Sequence, residues 1–548
     1  MDWKQIPKYI VVGIPFIILL TFIVYPVISV VIRGLSSESG TEFLAVVTSP
    51  ITQKTFSFTI IQALISTIIT IVVGLPGAFL IARIDFRGRW LVRAAIVVPF
   101  VLPPIAVVVG FIQVFGPYGF FDSFFMLITG SNSSIINLAY GVSGILLAHV
   151  FYNIPLVILM VSSSLERLNP DLEESADILG ASKMQKFRHV FLPHIKTSIM
   201  ASGMLVFLFC FMSFPIVLAL GNRGTMTMEV QIWNAFRNFD YGEASTLVLV
   251  QIIITMALAL SYVRLTTNTQ RNSGETRAIR RVRIGQLTPK ERISSVLYLI
   301  LLIILIAGPI LSLGRASIYD PTTSSFTTRG FENLFVMGQG GGLIPLLNSL
   351  YYGGLATLLA IILGLPLAYA QRSKEKSLPS LSSLMTLLPL GISSITVAYG
   401  LMLMIAVPLG FSSNPWVIII IAQTIIGLPF TVRAIEIALQ NIDQHLLDQA
   451  EVLGASRLQK LFYVELPLLA PGILVGGVFA FAMAIGEMSA TLFIALPQNI
   501  TLSVLIYQLL GVRKFVEAGA AALILVVFCF FAFLIIEHMS TENTGGML

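Results

Sequence analysis

The groups in this 548-residue chain that could hold a metal or move a proton are few, and most are badly placed for chemistry. The five histidines, His149, His189, His194, His445 and His538, show no H-E-x-x-H spacing and have no cysteine company, so they offer no zinc set. Cys210 and Cys529 both lie in apolar runs and read as inert free thiols. No G-x-x-x-x-G-K-[ST] occurs, so the chain has no phosphate cradle for ATP. Nothing supports covalent catalysis, and the chain is read as a non-enzyme. One acid stands apart. Glu487 falls roughly nineteen residues, or about 28 Å, into an apolar run, which puts it near the outer mouth of a membrane span. An ionisable residue there is a functional candidate by default, and a cationic substrate could pass it. A glutamate that snorkels outward or bonds a neighbouring helix explains it equally well. Its counterpart in the repeat described next is Ser213, so a site built on the pair is asymmetric.

The polar residues with the strongest claim to function are those that recur. Glu174 to Pro193 reads ESADILGASKMQKFRHVFLP, and Asp448 to Pro467 reads DQAEVLGASRLQKLFYVELP, 274 residues later. Ten of the twenty aligned positions are identical, the LGAS and QK tracts among them. Leu172, Ala176 and Leu179 are spaced i, i+4, i+7, as are Leu446, Ala450 and Leu453, so each set makes one apolar stripe on a short helix. Glu173, Glu174 and Asp177, and in the second copy Asp448 and Glu451, make the other face acidic; acids suit the positive end of a helix dipole. Gly180 and Gly454 then permit a turn, because glycine takes left-handed backbone angles freely. A basic stretch follows and is predicted to end at Leu192-Pro193 and Leu466-Pro467, where the next span begins. The result is a helix–turn–helix element presented twice. A plain amphipathic connection at the membrane surface could explain one such loop. Two copies with identical tracts argue for a binding face, because a membrane surface does not select sequence so closely.

The elements that must position these loops are written in the composition. Hydrophobic residues make up 56% of the chain and charged ones 11%, far below the charge of a soluble domain, so this is an integral membrane protein. At about twenty apolar residues per span, twelve candidates appear: 10–32, 57–82, 92–115, 141–163, 195–220 and 243–263, then 294–314, 347–370, 382–408, 414–436, 469–494 and 516–536. The predicted organisation is a first half over 1–265, a basic linker over 266–292 and a second half over 293–548. With the N-terminus inside, 25 of the 33 Lys and Arg residues fall in inner segments. The positive-inside rule then puts both termini, the linker and both repeated loops in the cytoplasm. Gly74-Leu75-Pro76 matches Gly364-Leu365-Pro366, and Pro99 matches Pro389, at an offset of 290. The change from 290 to 274 leaves about sixteen extra residues in the outer segment after the third span, by the repeat logic of parallel halves. Six spans separate the loop copies, so the halves are parallel repeats.

The pattern E-x-A-x-x-x-G, with nine residues before x-x-L-P, resembles the cytoplasmic loop of permeases in binding-protein-dependent ABC importers. The resemblance covers the whole chain: fused two-half permeases of the ferric-iron and thiamine type have this length and span count. Ser213 to Phe236 looks like the thiamine branch, and Gly486 to Leu510 is shared with the iron branch. The resemblance implies an all-α, polytopic type I importer permease in a prokaryotic inner membrane. It implies two ABC ATPase subunits on the cytoplasmic face, which carry the ATP and Mg while this chain binds no cofactor, and a substrate-binding protein outside. It also implies docking roles for Glu174, Ala176, Leu179, Gly180, Leu192 and Pro193, and for Asp448, Ala450, Leu453, Gly454, Leu466 and Pro467. Asp448 replaces the usual Glu, and Ser175 and Gln449 stand where the family has Ala. No nucleic-acid partner is expected. The rival reading is a carrier with two six-span halves driven by an ion gradient, which calls for coupling carboxylates and broken helices near the midplane.

Overall fold

The computed structural model describes residues 6–35, 41–222, 224–270, 281–320, 323, 325–338, 340–372 and 377–543. All twelve apolar runs are found as helix. The spans of the first half are α1 (Gly13–Arg33), α2 (Pro50–Arg83), α3 (Pro104–Thr129), α4 (Val142–Leu165), α5 (Lys183–Phe211) and α6 (Tyr241–Tyr262). Those of the second are α7 (Pro289–Ile318), α8 (Leu343–Gln371), α9, a pair (Leu378–Gly391 and Ser394–Ala406) bent by 100°, α10 (Trp416–Gln440), α11 (Leu458–Gly486) and α12 (Phe515–Ala532). Residues 271–280 of the linker, and 1–5 and 544–548 at the chain's ends, lie outside the described residues.

The sequence repeat is also a packing repeat. α2 lies against α4 as α8 lies against α10, and α4 meets α5 as α10 meets α11. The first span of each half, however, crosses to the other half. α7 packs on α3, where Gly110 approaches Pro309 so closely that an added Cβ would sit 2.1 Å from the Pro309 carbonyl oxygen. α1 packs on the second arm of α9, where a Cβ on Gly400 would sit 2.9 Å from Pro26 Cβ. Gly110 and Gly400 are equivalent at the 290 offset. In lipid, where no hydrophobic force drives helices together, such close backbone approach at small residues supplies the attraction.

Four spans are broken, in two equivalent pairs. The third run, expected whole over 92–115, is helical over Arg89–Val101 and again from Pro104, with Leu102 and Pro103 extended between. Two consecutive prolines remove two backbone donors, so the helix cannot run through. The equivalent break in α9 falls at Ile392 and Ser393 and has no proline in the gap. There Ser393 caps the second arm by accepting the Thr396 N–H at 3.1 Å. The runs expected over 195–220 and 469–494 are each a long helix, a break at Met212–Phe214 or Glu487–Met488, and a short helix (Pro215–Leu220 or Ser489–Ile494). Each is followed by a ten-residue helix, Met228–Arg237 or Leu502–Gly511, that leads into the next span.

The extra residues of the first half hold the helix Phe120–Thr129, which forms the end of α3, and a loop. Asp122 is fully buried there and accepts the N–H groups of Tyr118, Ile135 and Ile136 at 2.8–2.9 Å, which fixes the loop to the helix start. On the opposite side of the membrane the end of the linker is held by the first half. β1 (Ile84–Asp85) pairs in parallel with β2 (Val282–Arg283). Glu166 faces Arg89 at 2.9 Å, Arg281 at 3.3 Å and Arg93 at 3.9 Å. Burial, followed by the neighbouring Arg281, draws the Arg89 guanidinium below its usual pKa, and Glu166 offsets part of this.

Candidate functional site

The two repeated loops fold alike, with the same turn and the same caps, and their identical residues largely explain why. The short helices run over Pro170–Ile178 and Gln444–Val452. Asn169 and Asp443 cap them through the N–H groups of Asp171 and His445. Each ends in a left-handed glycine, Gly180 at φ +71° and Gly454 at φ +81°. The Ala181 N–H reaches the Ala176 carbonyl at 2.9 Å and the Gly180 N–H reaches that of Asp177 at 3.0 Å; Ala455 and Gly454 do the same to Ala450 and Glu451 at 3.0 Å each. This pair of bonds closes a helix end that otherwise leaves carbonyls unpaired. The next helix opens on a reciprocal cap. Ser182 accepts from the Gln185 N–H at 3.3 Å while Gln185 accepts from the Ser182 N–H at 2.8 Å, and Ser456 with Gln459 repeats both distances. Lys186 then pairs with Asp177 at 2.7 Å, and Lys460 pairs with Glu451. Gly, Ser, Gln and Lys in the shared tracts therefore all serve the turn's own shape.

The chain does not stop at Leu192-Pro193 or Leu466-Pro467 as the sequence suggests. A π-helical turn over Phe187–Phe191, or Leu461–Glu465, carries it straight into the following span. The wider turn accommodates the missing proline N–H and relieves the ring's clash with the carbonyl four residues back.

What folding leaves unexplained in the turns is a set of exposed apolar side chains. Ile178 and Leu179 are 86% and 84% exposed, and Val452 and Leu453 are each 87% exposed. Glu174 and Asp448 are exposed beside them, and Ala176 and Ala450 are half-buried. Six spans separate the copies, so both patches face the same side. The first turn is also tied to the membrane helices: Arg83 at the end of α2 pairs with Glu173 and covers the Phe191 ring at 5.1 Å, while Lys183 pairs with Glu291 at the start of α7.

The second cluster lies between the halves, where the four breaks converge on a cavity of about 290 Å³. Its wall includes Leu102 and Pro103, Met212 and Ser213, Ile392 and Ser393, and Gly486 to Ser489. Irregular backbone inside a membrane is tolerated where it lines a cavity or is buried in protein, which is the situation here. Glu487 and Ser213 are thus brought to one site. Glu487 is buried, and its carboxylate accepts the N–H groups of Ala490 and Thr491 at 2.7 and 2.9 Å and the Thr491 hydroxyl at 2.8 Å. It heads the short helix of the eleventh run and does not snorkel. Ser213, its counterpart, has a hydroxyl oxygen with no partner among the described residues. The residue that sequence reasoning passed over is His149. It lines the same cavity about 10 Å from the start of α4, judged by the helical rise. Its Nδ1 lies 3.0 Å from Ser66 Oγ and its Nε2 has no partner among the described residues. A lone histidine in an apolar run carries no signal that could have singled it out.

Comparison with known proteins agrees with the repeat. The sequence profile of the family described as "Binding-protein-dependent transport system inner membrane component" matches residues 74–274 and 356–541, once in each half. The thiamine transport system permease protein ThiP of Escherichia coli (strain K12) is 25% identical over 492 residues, which cover 89% of each chain. The ferric transport system permease protein FbpB of Actinobacillus pleuropneumoniae is 23% identical over 514 residues, 90% of this chain and 73% of that protein. Among solved structures, a chain of the bacterial alginate ABC transporter in complex with an alginate pentasaccharide-bound periplasmic protein aligns with 50% of this chain and 99% of its own length, at 16% identity and a TM-score of 0.42. With the profile matching more than half of its length in two copies, this chain belongs to the inner membrane components of binding-protein-dependent transport systems.

Proposed function

We propose that this chain carries both permease halves of an ATP-driven importer, and that its two exposed turns are the sockets for two ATPase subunits. One observation carries the reading: the same rigid turn is built twice on one face, each copy displaying a large apolar side chain, Leu179 or Leu453, that is more than four-fifths exposed. A soluble surface that leaves such residues bare beside an acidic helix is made to be covered. In this reading that face is cytoplasmic, both termini lie there, and residues 1–265 and 293–548 act as two halves joined by the linker over 266–292. ATP and Mg sit on the partners. Closure of the two ATPases draws the turns together, and the motion passes through the π-helical turns into α5 and α11. Those helices end just before Ser213 and Glu487, so the same rods that carry the turns also frame the cavity. A substrate-loaded binding protein delivers the cargo from outside. Relatives named for thiamine and for ferric iron make these two the first cargoes to try.

The gradient-driven carrier is the second reading, and the broken spans would suit it. It gives no use to two exposed turns on one face. Uptake into proteoliposomes holding the chain, its ATPase and its binding protein separates the two. Uptake that requires ATP and survives collapse of ion gradients is the expected result. Uptake that runs without ATP and stops with an ionophore contradicts the proposal.

A further inference from the structure

The cavity at the four breaks has a chemistry of its own. Glu487 is the only Asp, Glu, Lys or Arg among its lining residues, so the one acid or strong base in the wall is a carboxyl group. The same wall holds three phenylalanines from both halves: Phe100 lies 6.4 Å, ring centre to ring centre, from Phe209 and from Phe430. Aromatic faces carry negative charge density and attract cations, more strongly where water is excluded. Two polar atoms in the wall lack partners among the described residues, His149 Nε2 and Ser213 Oγ, on residues only 1% and 7% exposed. A buried polar group left unpaired costs free energy, so a ligand group that reached either atom would gain by pairing with it. Among the described residues no three His, Cys, Asp or Glu side chains gather to hold a metal ion. A bare ferric ion would therefore find one carboxylate and no further hard ligand set.

From these features we infer that the cavity is a binding station for an aromatic organic cation on its way across the membrane. The positive group lies toward Glu487, the ring lies on the Phe100–Phe209–Phe430 wall, and a polar edge meets His149 and Ser213. The volume of about 290 Å³ is at the small end of ligand pockets, which suits a single small solute. The station rests on the permease reading and narrows its cargo from two candidates to the organic one.

The test uses the full chain in lipid nanodiscs and equilibrium dialysis with three probes: thiamine, an aromatic cation; thiochrome, its neutral ring-closed relative; and ferric citrate. The expected result is retention of thiamine, at least tenfold weaker retention of thiochrome and no retention of ferric citrate. Glu487→Gln and Phe430→Leu should each lower thiamine retention fivefold or more. Because Glu487 also holds a helix, its variant could fail to fold; Phe430→Leu keeps apolar bulk, removes the aromatic face and carries the test alone in that case. No thiamine retention by the wild type, equal retention of thiochrome, retention of ferric citrate, or unchanged thiamine retention in Phe430→Leu would each overturn the station. ATP-dependent uptake of any solute by the reconstituted complex keeps the permease reading even when the station fails. Absence of such uptake sinks the permease reading separately.

Discussion

Replacing Gly180 and Gly454 by valine tests whether the shape of the turns matters to coupling. Both glycines have positive φ, +71° and +81°, and a Cβ built on either meets no atom within 4 Å. A substitution there is therefore free of steric clash with the rest of the protein, and its whole effect comes from the backbone. A β-branched residue in the left-handed region costs roughly 1–2 kcal/mol. The turn competes with alternatives in which the glycine reverts to negative φ and the paired bonds from Ala181 to Ala176 and Gly180 to Asp177 are lost. A cost of about 1–2 kcal/mol lowers the population of the native turn relative to such states about 5- to 30-fold. The membrane bundle, packed through α2, α4, α8 and α10, does not touch these positions and should insert normally. Gly180→Val and Gly454→Val should thus each weaken capture of the ATPase or uncouple hydrolysis from uptake, and the double variant should be worse than either. Gly→Asn should be milder, since asparagine tolerates the same angles. The assay is ATPase co-purification from membranes together with ATP-driven uptake in vesicles made from them. Wild-type values of both for the two valine variants would mean that the turns are plain connectors.

Two further predictions concern the same elements. Leu179→Ser and Leu453→Ser should leave thermal stability within about 0.5 kcal/mol, because both side chains are almost fully exposed, yet lower ATPase capture about tenfold or more if they are the anchors of the contact; unchanged capture by pull-down would remove them from the interface. Ser182→Ala combined with Ser456→Ala should cost about 1 kcal/mol per loop by removing the reciprocal caps, seen as faster amide exchange at Gln185 and Gln459; exchange at the wild-type rate would show that the caps do not hold the turns.

The sequence made the spans and the turns legible because both are local patterns. Apolar runs of about twenty residues announce helices in lipid wherever they fold, and a glycine after an i, i+4, i+7 stripe announces a helix end. The breaks were harder to see. Leu102-Pro103-Pro104 contains a visible stop, but the gap at Ile392-Ser393 holds no proline, and its clearest mark is the Ser393 cap on the next arm. The ten-residue helices Met228–Arg237 and Leu502–Gly511 are too short to register as spans. Glu487 looked like a charge near a membrane surface, whereas its donors lie three and four residues further along its own chain, a cap hidden inside a hydrophobic stretch. The crossing of α1 and α7 to the opposite halves depends on Gly110 and Gly400 meeting Pro309 and Pro26, contacts between distant segments that no local pattern encodes. Nor does any run of residues foretell that His149 and Ser213 share one cavity wall with Glu487.

The central claim is that one chain presents two equivalent sockets to two ATPase subunits. Native mass spectrometry of the complex extracted from membranes, with its ATP-driven uptake measured in parallel, tests this most directly. The account predicts one copy of this 59.8 kDa chain with two ATPase subunits in the transport-competent species. A stable, fully active assembly carrying a single ATPase subunit would contradict it.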